Sequence, residues 1–274
     1  MGSGGSRLNA SPYQHAIRDG LRDALLRDED VLLLGEDVGH GSPETAGLQQ
    51  EFGDWRVLDA PHAQGAIVGA ATGLALAGLR PIAQLDRPLE ASAEIATAAR
   101  AGARVVLRVR AGHDEAPPEM VVAAAASAHD ARGLLEAALS HDGPVLLLED
   151  GRCEAPASAG ACRLGEAEVR REGSDLTALS WGIGVQHALA AAERCDGSVE
   201  VIDLRTLVPL DLELVLASCA RTSKVVVLGL GRHAERIAAA VGEAAFAQLD
   251  GPPTIAAPTD ADAALAAFDH LINY

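Results

Sequence analysis

The sequence predicts an α/β protein of two doubly wound domains, each built on a parallel sheet covered by helices. Three observations lead there. Short apolar runs alternate with stretches of helical period along most of the chain. Several of those runs are apolar throughout, as a strand buried on both faces of a parallel sheet requires. The alternation breaks once, between 151 and 168, where Pro, Gly, Ala and Ser cluster and periodicity fades. That break divides the chain into a first domain over 7–150, a linker over 151–168 and a smaller second domain over 169–274. Residues 1–6, Met-Gly-Ser-Gly-Gly-Ser, read as an appended stretch and are set outside the fold.

The elements follow in order. Tyr13 to Arg27 spaces Ala16, Ile17, Leu21, Ala24 and Leu25 for one buried helical face. Val31-Leu-Leu-Leu-Gly35 is a buried parallel strand; a Gly-rich stretch and a short helix to Phe52 lead to a strand at Arg56-Val-Leu58. A helix of small residues over Gln64 to Ala77 precedes a strand over Arg80 to Leu85 and an Ala-rich helix over Leu89 to Ala101. Strands at Arg104 to Val109 and Pro144 to Glu149 flank a helix at Asp130 to Leu139. Beyond the linker, strands are expected at Leu176 to Trp181, Val199 to Leu204, Val225 to Leu230 and Thr254 to Ala256. Helices are expected at Val185 to Arg194, Leu212 to Ala220, Ala234 to Leu249 and Ala261 to Ile272. Gly229-Leu-Gly231 lacks a full dinucleotide fingerprint and reads as a strand-to-helix turn.

Composition narrows the function classes. With 274 residues, 49% hydrophobic and 22% charged, the chain can bury a substantial core. A formal charge of −17 argues against nucleic acid and against an anionic membrane surface, both of which need clustered Lys and Arg. Cys153, Cys162, Cys195 and Cys219 form no CxxC pair and have no histidines at ligand spacing, so they read as reduced thiols and no metal centre is expected. The longest weakly polar run, Gly65 to Leu79, is shorter than the roughly 20 residues a membrane crossing needs. A cytoplasmic location is expected. Aromatic residues make up only 3%, so a site that stacks a planar ring is short of material.

The helix from Gln64 carries Gly65, Gly69 and Gly73 on successive turns. Each costs roughly 1 kcal/mol against Ala in a helix interior. Close approach of another backbone would compensate, from within the domain or across a subunit interface; self-association through this helix is the expectation.

Three segments then carry a resemblance: Val31-Leu-Leu-Leu-Gly-Glu-Asp-Val38, Phe52-Gly-Asp-Trp-Arg-Val-Leu-Asp-Ala-Pro61 and Ala66-Ile-Val-Gly-Ala-Ala-Thr-Gly-Leu-Ala-Leu-Ala-Gly-Leu-Arg-Pro81. In order and spacing they are similar to the pyrimidine-binding domain of the β subunits of 2-oxoacid dehydrogenase E1 components, of pyruvate and branched-chain type. Asp130-Ala-Arg-Gly-Leu134 and Gly143-Pro-Val-Leu-Leu-Leu-Glu149 continue it. Ile202-Asp-Leu-Arg-Thr-Leu-Val-Pro209 and Gly231-Arg-His-Ala234 resemble the family's transketolase-like C-terminal domain. The resemblance implies a thiamine diphosphate enzyme working as an α2β2 heterotetramer and passing an acyl or aldehyde unit to a carrier protein. The α-like partner would hold the diphosphate and its Mg2+, and this chain the aminopyrimidine ring.

Departures from the family pattern cluster at that ring. The family glutamate that bonds the pyrimidine nitrogen falls on Gln64 of Pro61-His-Ala-Gln-Gly65. An amide can donate a hydrogen bond there but cannot pass a proton, a step typically worth about 10²–10⁴-fold. Where the family has stacking aromatics, this chain reads Leu85-Asp-Arg-Pro-Leu-Glu90. The family's long Gly- and His-rich loop, which handles substrate and a structural potassium, shrinks to about Ala111 to Pro117. The candidate catalytic residues are Gln64, His62 beside it and His113 as a remnant of the loop histidine. Glu36, which matches a family acidic position at a strand end, and Gln64 are the candidate cofactor contacts. Two functions stay open: a β-like subunit completing an altered thiamine diphosphate site, and a non-catalytic subunit that keeps only the fold and interface.

Overall fold

The computed structural model describes residues 10–39, 42–110, 119–155, 161–257 and 259–273. The chain opens with α1 (Pro12–Arg27), capped by Ser11, whose Oγ accepts from the Gln14 amide while the Gln14 side chain accepts from the Ser11 N–H. This reciprocal pair satisfies two donors left over at the helix start, and Pro12 occupies a position where no donor is needed. Tyr13, Ile17, Leu21 and Leu25 form its buried face against α5 (Ala128–Ser140), where Leu134, Leu135 and Ala138 receive them.

The first sheet is assembled from β1 (Val31–Gly35), β2 (Val57–Asp59), β3 (Arg80–Leu85), β4 (Val106–Arg110), β5 (Val121–Ala124), β6 (Val145–Glu149) and β10 (Thr206–Val208), in the order β10-β5-β6-β4-β3-β1-β2. Six of these strands run parallel, while β10 pairs antiparallel with β5. Between β1 and β2 lies the short α2 (Leu48–Phe52). Two helices, α3 (Gln64–Leu76) and α4 (Ser92–Arg100), cover the face opposite α1 and α5. The expected helix over Leu89 to Ala101 is divided: Pro88–Ala91 is a 3₁₀ turn, and α4 begins after it.

The second sheet contains β7 (Glu168–Arg171), β8 (Leu176–Ser180), β9 (Val199–Asp203), β11 (Val225–Leu228) and β12 (Thr254–Ala256), in the order β12-β11-β8-β9-β7. Only β7 is antiparallel to its neighbour. Four helices pack on it: α6 (Ile183–Ala192), α7 (Leu212–Thr222), α8 (Gly231–Ala244) and α9 (Ala261–Ile272). Both sheets are therefore mixed at one edge rather than wholly parallel. The strand β10 also crosses the division expected from the sequence, since it follows β9 in the chain yet completes the first sheet.

A buried ionic cluster sits where the two sheets meet. Arg205 Nη2 lies 3.2 Å from Asp130 Oδ1 and 2.6 Å from Glu168 Oε2. Arg170 Nη1 lies 3.2 Å from Asp203 Oδ2 and 3.5 Å from Asp130 Oδ2. The cluster joins α5, β7, β9 and the turn into β10, so it ties elements from both sides of the linker. No helix among the described residues is long and apolar enough to cross a membrane.

Candidate functional site

Strand β1 ends at Gly35 because nothing larger fits: a Cβ there would lie 2.7 Å from the Gln84 carbonyl oxygen on β3. The chain then turns with Asp37 at φ 53°, a left-handed conformation that Asp tolerates better than most residues. Asp59 at the end of β2 fixes the turn by accepting from the Gly39 N–H at 2.7 Å. This geometry sets Glu36 at the strand's C-terminal end, 4% exposed.

Three of the residues singled out from the sequence meet there. Gln64, the first residue of α3, donates from Nε2 to Glu36 Oε1 and accepts at Oε1 from the Arg87 N–H at 3.3 Å. His62 Nδ1 lies 2.5 Å from Glu36 Oε2. Both carboxylate oxygens of Glu36 are thus engaged, and so are both ends of the Gln64 amide. Gln64 is 1% exposed, whereas the His62 side chain is 66% exposed. A buried carboxylate that fixes one imidazole nitrogen leaves the other facing outward, an arrangement able to orient a proton-carrying histidine. His113 lies outside the described residues.

The glycine-spaced helix divides in an unexpected way. At Gly65 a Cβ would come within 3.1 Å of the Glu94 carboxylate, so this glycine is packed inside the chain by α4. Gly69 and Gly73 have nothing within 4 Å of that position and face outward, next to exposed Ala66, Ala70 and Leu76. Sequence reasoning missed Glu94 because its nearness to residue 64 depends on the α3–α4 packing and leaves no local signal.

A pyrimidine ring bound through position 64 would have to compete with partners already in place. The amide that would meet it is buried and has both polar ends committed to Glu36 and to the Arg87 backbone. The neighbouring Leu85, Asp86 and Arg87 offer no ring to stack on it.

Two α/β sheets, the first with Glu36 at the end of β1 and completed by β10 from the second half of the chain, make a fold of transketolase-like class. A family model, transketolase C-terminal domain, matches residues 165–274. The β subunit of the pyruvate dehydrogenase E1 component of Staphylococcus epidermidis is 36% identical over 291 residues, covering 89% of each chain. The 2-oxoisovalerate dehydrogenase β subunit of Bacillus subtilis is 34% identical, covering 89% of this chain and 88% of that one. Among solved structures, a split-gene transketolase described as an inactive β4 tetramer superposes with a TM-score of 0.77 at 19% identity, over 95% of this chain and 98% of that one. The chain belongs to the β-subunit family of 2-oxoacid dehydrogenase E1 components.

Proposed function

We propose that this chain is the β-type subunit of a heteromeric 2-oxoacid-processing enzyme of the thiamine diphosphate class, with a weakened contribution to cofactor activation. Its α-like partner would supply the diphosphate and Mg2+ contacts, in an α2β2 assembly. The observation that carries the reading is residue 64: the resemblance implies a glutamate there, and this chain has a glutamine held by Glu36 and Arg87. A glutamine cannot exchange a proton in the way a carboxylic acid does. His62, oriented by Glu36, is the group left at this end of α3 to handle protons. The outward Gly69–Gly73 face of α3 supports association through that helix, with a second copy or with the partner.

A second reading is favoured by the engagement of both ends of the Gln64 amide: a non-catalytic subunit that stabilises its partner without meeting the cofactor. One experiment separates them. The chain is purified with its α-type partner, the α2β2 mass is established by light scattering, and 2-oxoacid-dependent reduction of an artificial acceptor is measured. The first reading expects an intact assembly turning over about 10²–10⁴-fold below a glutamate-bearing relative. Turnover at the relative's rate would overturn it. An intact assembly with no turnover would support the structural subunit.

A further inference from the structure

Strand β3 sends its side chains to both sides of the first sheet, and the two sides differ. Leu85 faces α3 and the site around Gln64, in a core with Ile67, while Gln84 shares the α1 side with Ile82. Alternation along a strand makes this unavoidable. On the α1 side, at the C-terminal ends of β3, β4 and β6, a cavity of about 480 Å³ opens between the sheet and the start of α1. It opens on the side of the sheet away from Gln64; it shares Leu85 and Asp86 with the segment discussed above for ring stacking, but not Glu36, His62 or Gln64.

Its walls hold a charge pattern that the chain does not complete by itself. Arg108 is buried and already neutralised by a two-pronged contact with Glu149, at 2.9 and 2.8 Å, and its Nη1 donates to Gln84 Oε1 at 3.1 Å. Arg152 is likewise matched by Asp150, at 2.9 and 2.6 Å. Two carboxylates form no close ion pair among the described residues, Asp86 and Glu44, although the Arg108 charge shared with Glu149 also reaches Glu44. Burial works against the charge on Glu44, yet hydrogen bonds from Ser42 and Gln14 outweigh it and hold the carboxyl below its ordinary range. The Gln14 donor comes from the capping box of α1, so the fold itself presents this carboxylate.

Two donors are also left over. Tyr13 lines the cavity, is 2% exposed, and its hydroxyl has no hydrogen-bond partner among the described residues. Burial and then the charge of Glu149 raise that hydroxyl well above its usual range, so it stays protonated and available to donate. Gln84 spends its amide oxygen on Arg108 and has no partner for its Nε2 among the described residues. A buried hydroxyl left without a partner carries a desolvation penalty, which a bound acceptor would recover.

We propose that this cavity binds a small polar ligand with a protonated amine at one end and oxygen acceptors at the other, an amino acid or amino alcohol. The amine meets Glu44 and Asp86, and the oxygens take the donors of Tyr13 and Gln84. Simple anions are disfavoured, because the unpaired wall charge is negative; a 2-oxoacid is therefore not the occupant. The proposal does not rest on the reading of residue 64.

The test titrates the full-length chain with ethanolamine and a panel of free amino acids, following saturable chemical-shift changes by NMR and confirming by calorimetry. Acetate and pyruvate serve as anion controls. At least one amine-bearing probe is expected to bind saturably, with acetate and pyruvate showing none. Glu44→Gln should weaken binding about tenfold or more, as loss of a charge-assisted hydrogen bond does. Because Glu44 also holds Gln14, Asp86→Asn at an exposed position provides a second variant with an undisturbed fold, and it should weaken the same probe. Tyr13→Phe should weaken a probe with oxygen acceptors more than a simple alkylamine. Absence of saturable binding by every amine, equal binding of the anions, or unchanged affinity in Asp86→Asn and Glu44→Gln would overturn the proposal.

Discussion

Replacing Asp203 by Asn should flatten the pH dependence of stability, and the ionic cluster between the sheets shows why. Three carboxylates, Asp130, Glu168 and Asp203, face two guanidiniums, Arg170 and Arg205. Within this set of described residues carboxylates outnumber guanidiniums by one in a buried place, which favours a proton on the carboxyl that burial penalises most. That group is Asp203: burial, and then the neighbouring Asp130 charge, push its carboxyl up to about 7. An unfolded Asp titrates near ~3.9, and each unit of difference corresponds to about 1.4 kcal/mol. The folded state therefore binds the extra proton between about pH 4 and pH 7. For a carboxyl raised in the folded state the cost is absent below the unfolded value, grows through this window and is complete above it. The total is at most about 4 kcal/mol, and sharing of the proton within the cluster lowers it. Urea unfolding of the wild type and Asp203→Asn at half-unit steps from pH 4.5 to 8 gives the difference directly. The wild type should lose about 2–4 kcal/mol more than the variant across that range. Parallel profiles for the two proteins would refute the reasoning.

The exposed glycines of α3 make a prediction with two signs. Gly69→Ala and Gly73→Ala should each stabilise the isolated chain, by up to about 1 kcal/mol in thermal or urea unfolding, because a Cβ at either meets open space. Leu at both positions should leave the isolated chain folded while lowering its association, measured by light scattering at micromolar concentration. The thiols offer a simpler check. Burial raises Cys153 to about 12 and Cys219 to about 11, so both should resist alkylation at pH 8 in the native chain and react once it is unfolded, as followed by mass spectrometry.

How far the molecule was legible in its sequence varied with the physical signal. The strands Val31–Gly35 and Arg80–Leu85 coincide with their sequence-based bounds, the first because a continuous apolar run ending in Gly suits a strand buried on both faces. Helices such as α1 and α9 carried caps and a regular apolar face. The edge strands β7 and β10 escaped. Glu168-Val-Arg-Arg171 is polar because its charged side chains serve the ionic cluster, and Thr206-Leu-Val208 spans too few residues to show a period. The strand Val121-Val-Ala-Ala124 lies in an Ala-rich run with no turn signal to set it off. At the candidate site the sequence brought forward Glu36, His62 and Gln64, and the structure joins all three. It could not show that the Arg87 backbone closes the Gln64 amide, nor that Glu94 covers Gly65, since both depend on how β3 and α4 approach α3. The cavity beside Tyr13 was equally hidden, because its wall is gathered from α1, β3, β4 and β6, which are far apart in the chain.

Position 64, closed between Glu36 and Arg87, is proposed no longer to activate the family's cofactor. The most direct test is hydrogen–deuterium exchange at the thiazolium carbon of thiamine diphosphate, followed by NMR with Mg2+ and the chain assembled with its α-type partner. The account predicts exchange within about tenfold of the free cofactor, because the proton-carrying group that is typically worth about 10²–10⁴-fold is missing. Acceleration by about 10⁴-fold or more in the intact assembly would contradict it.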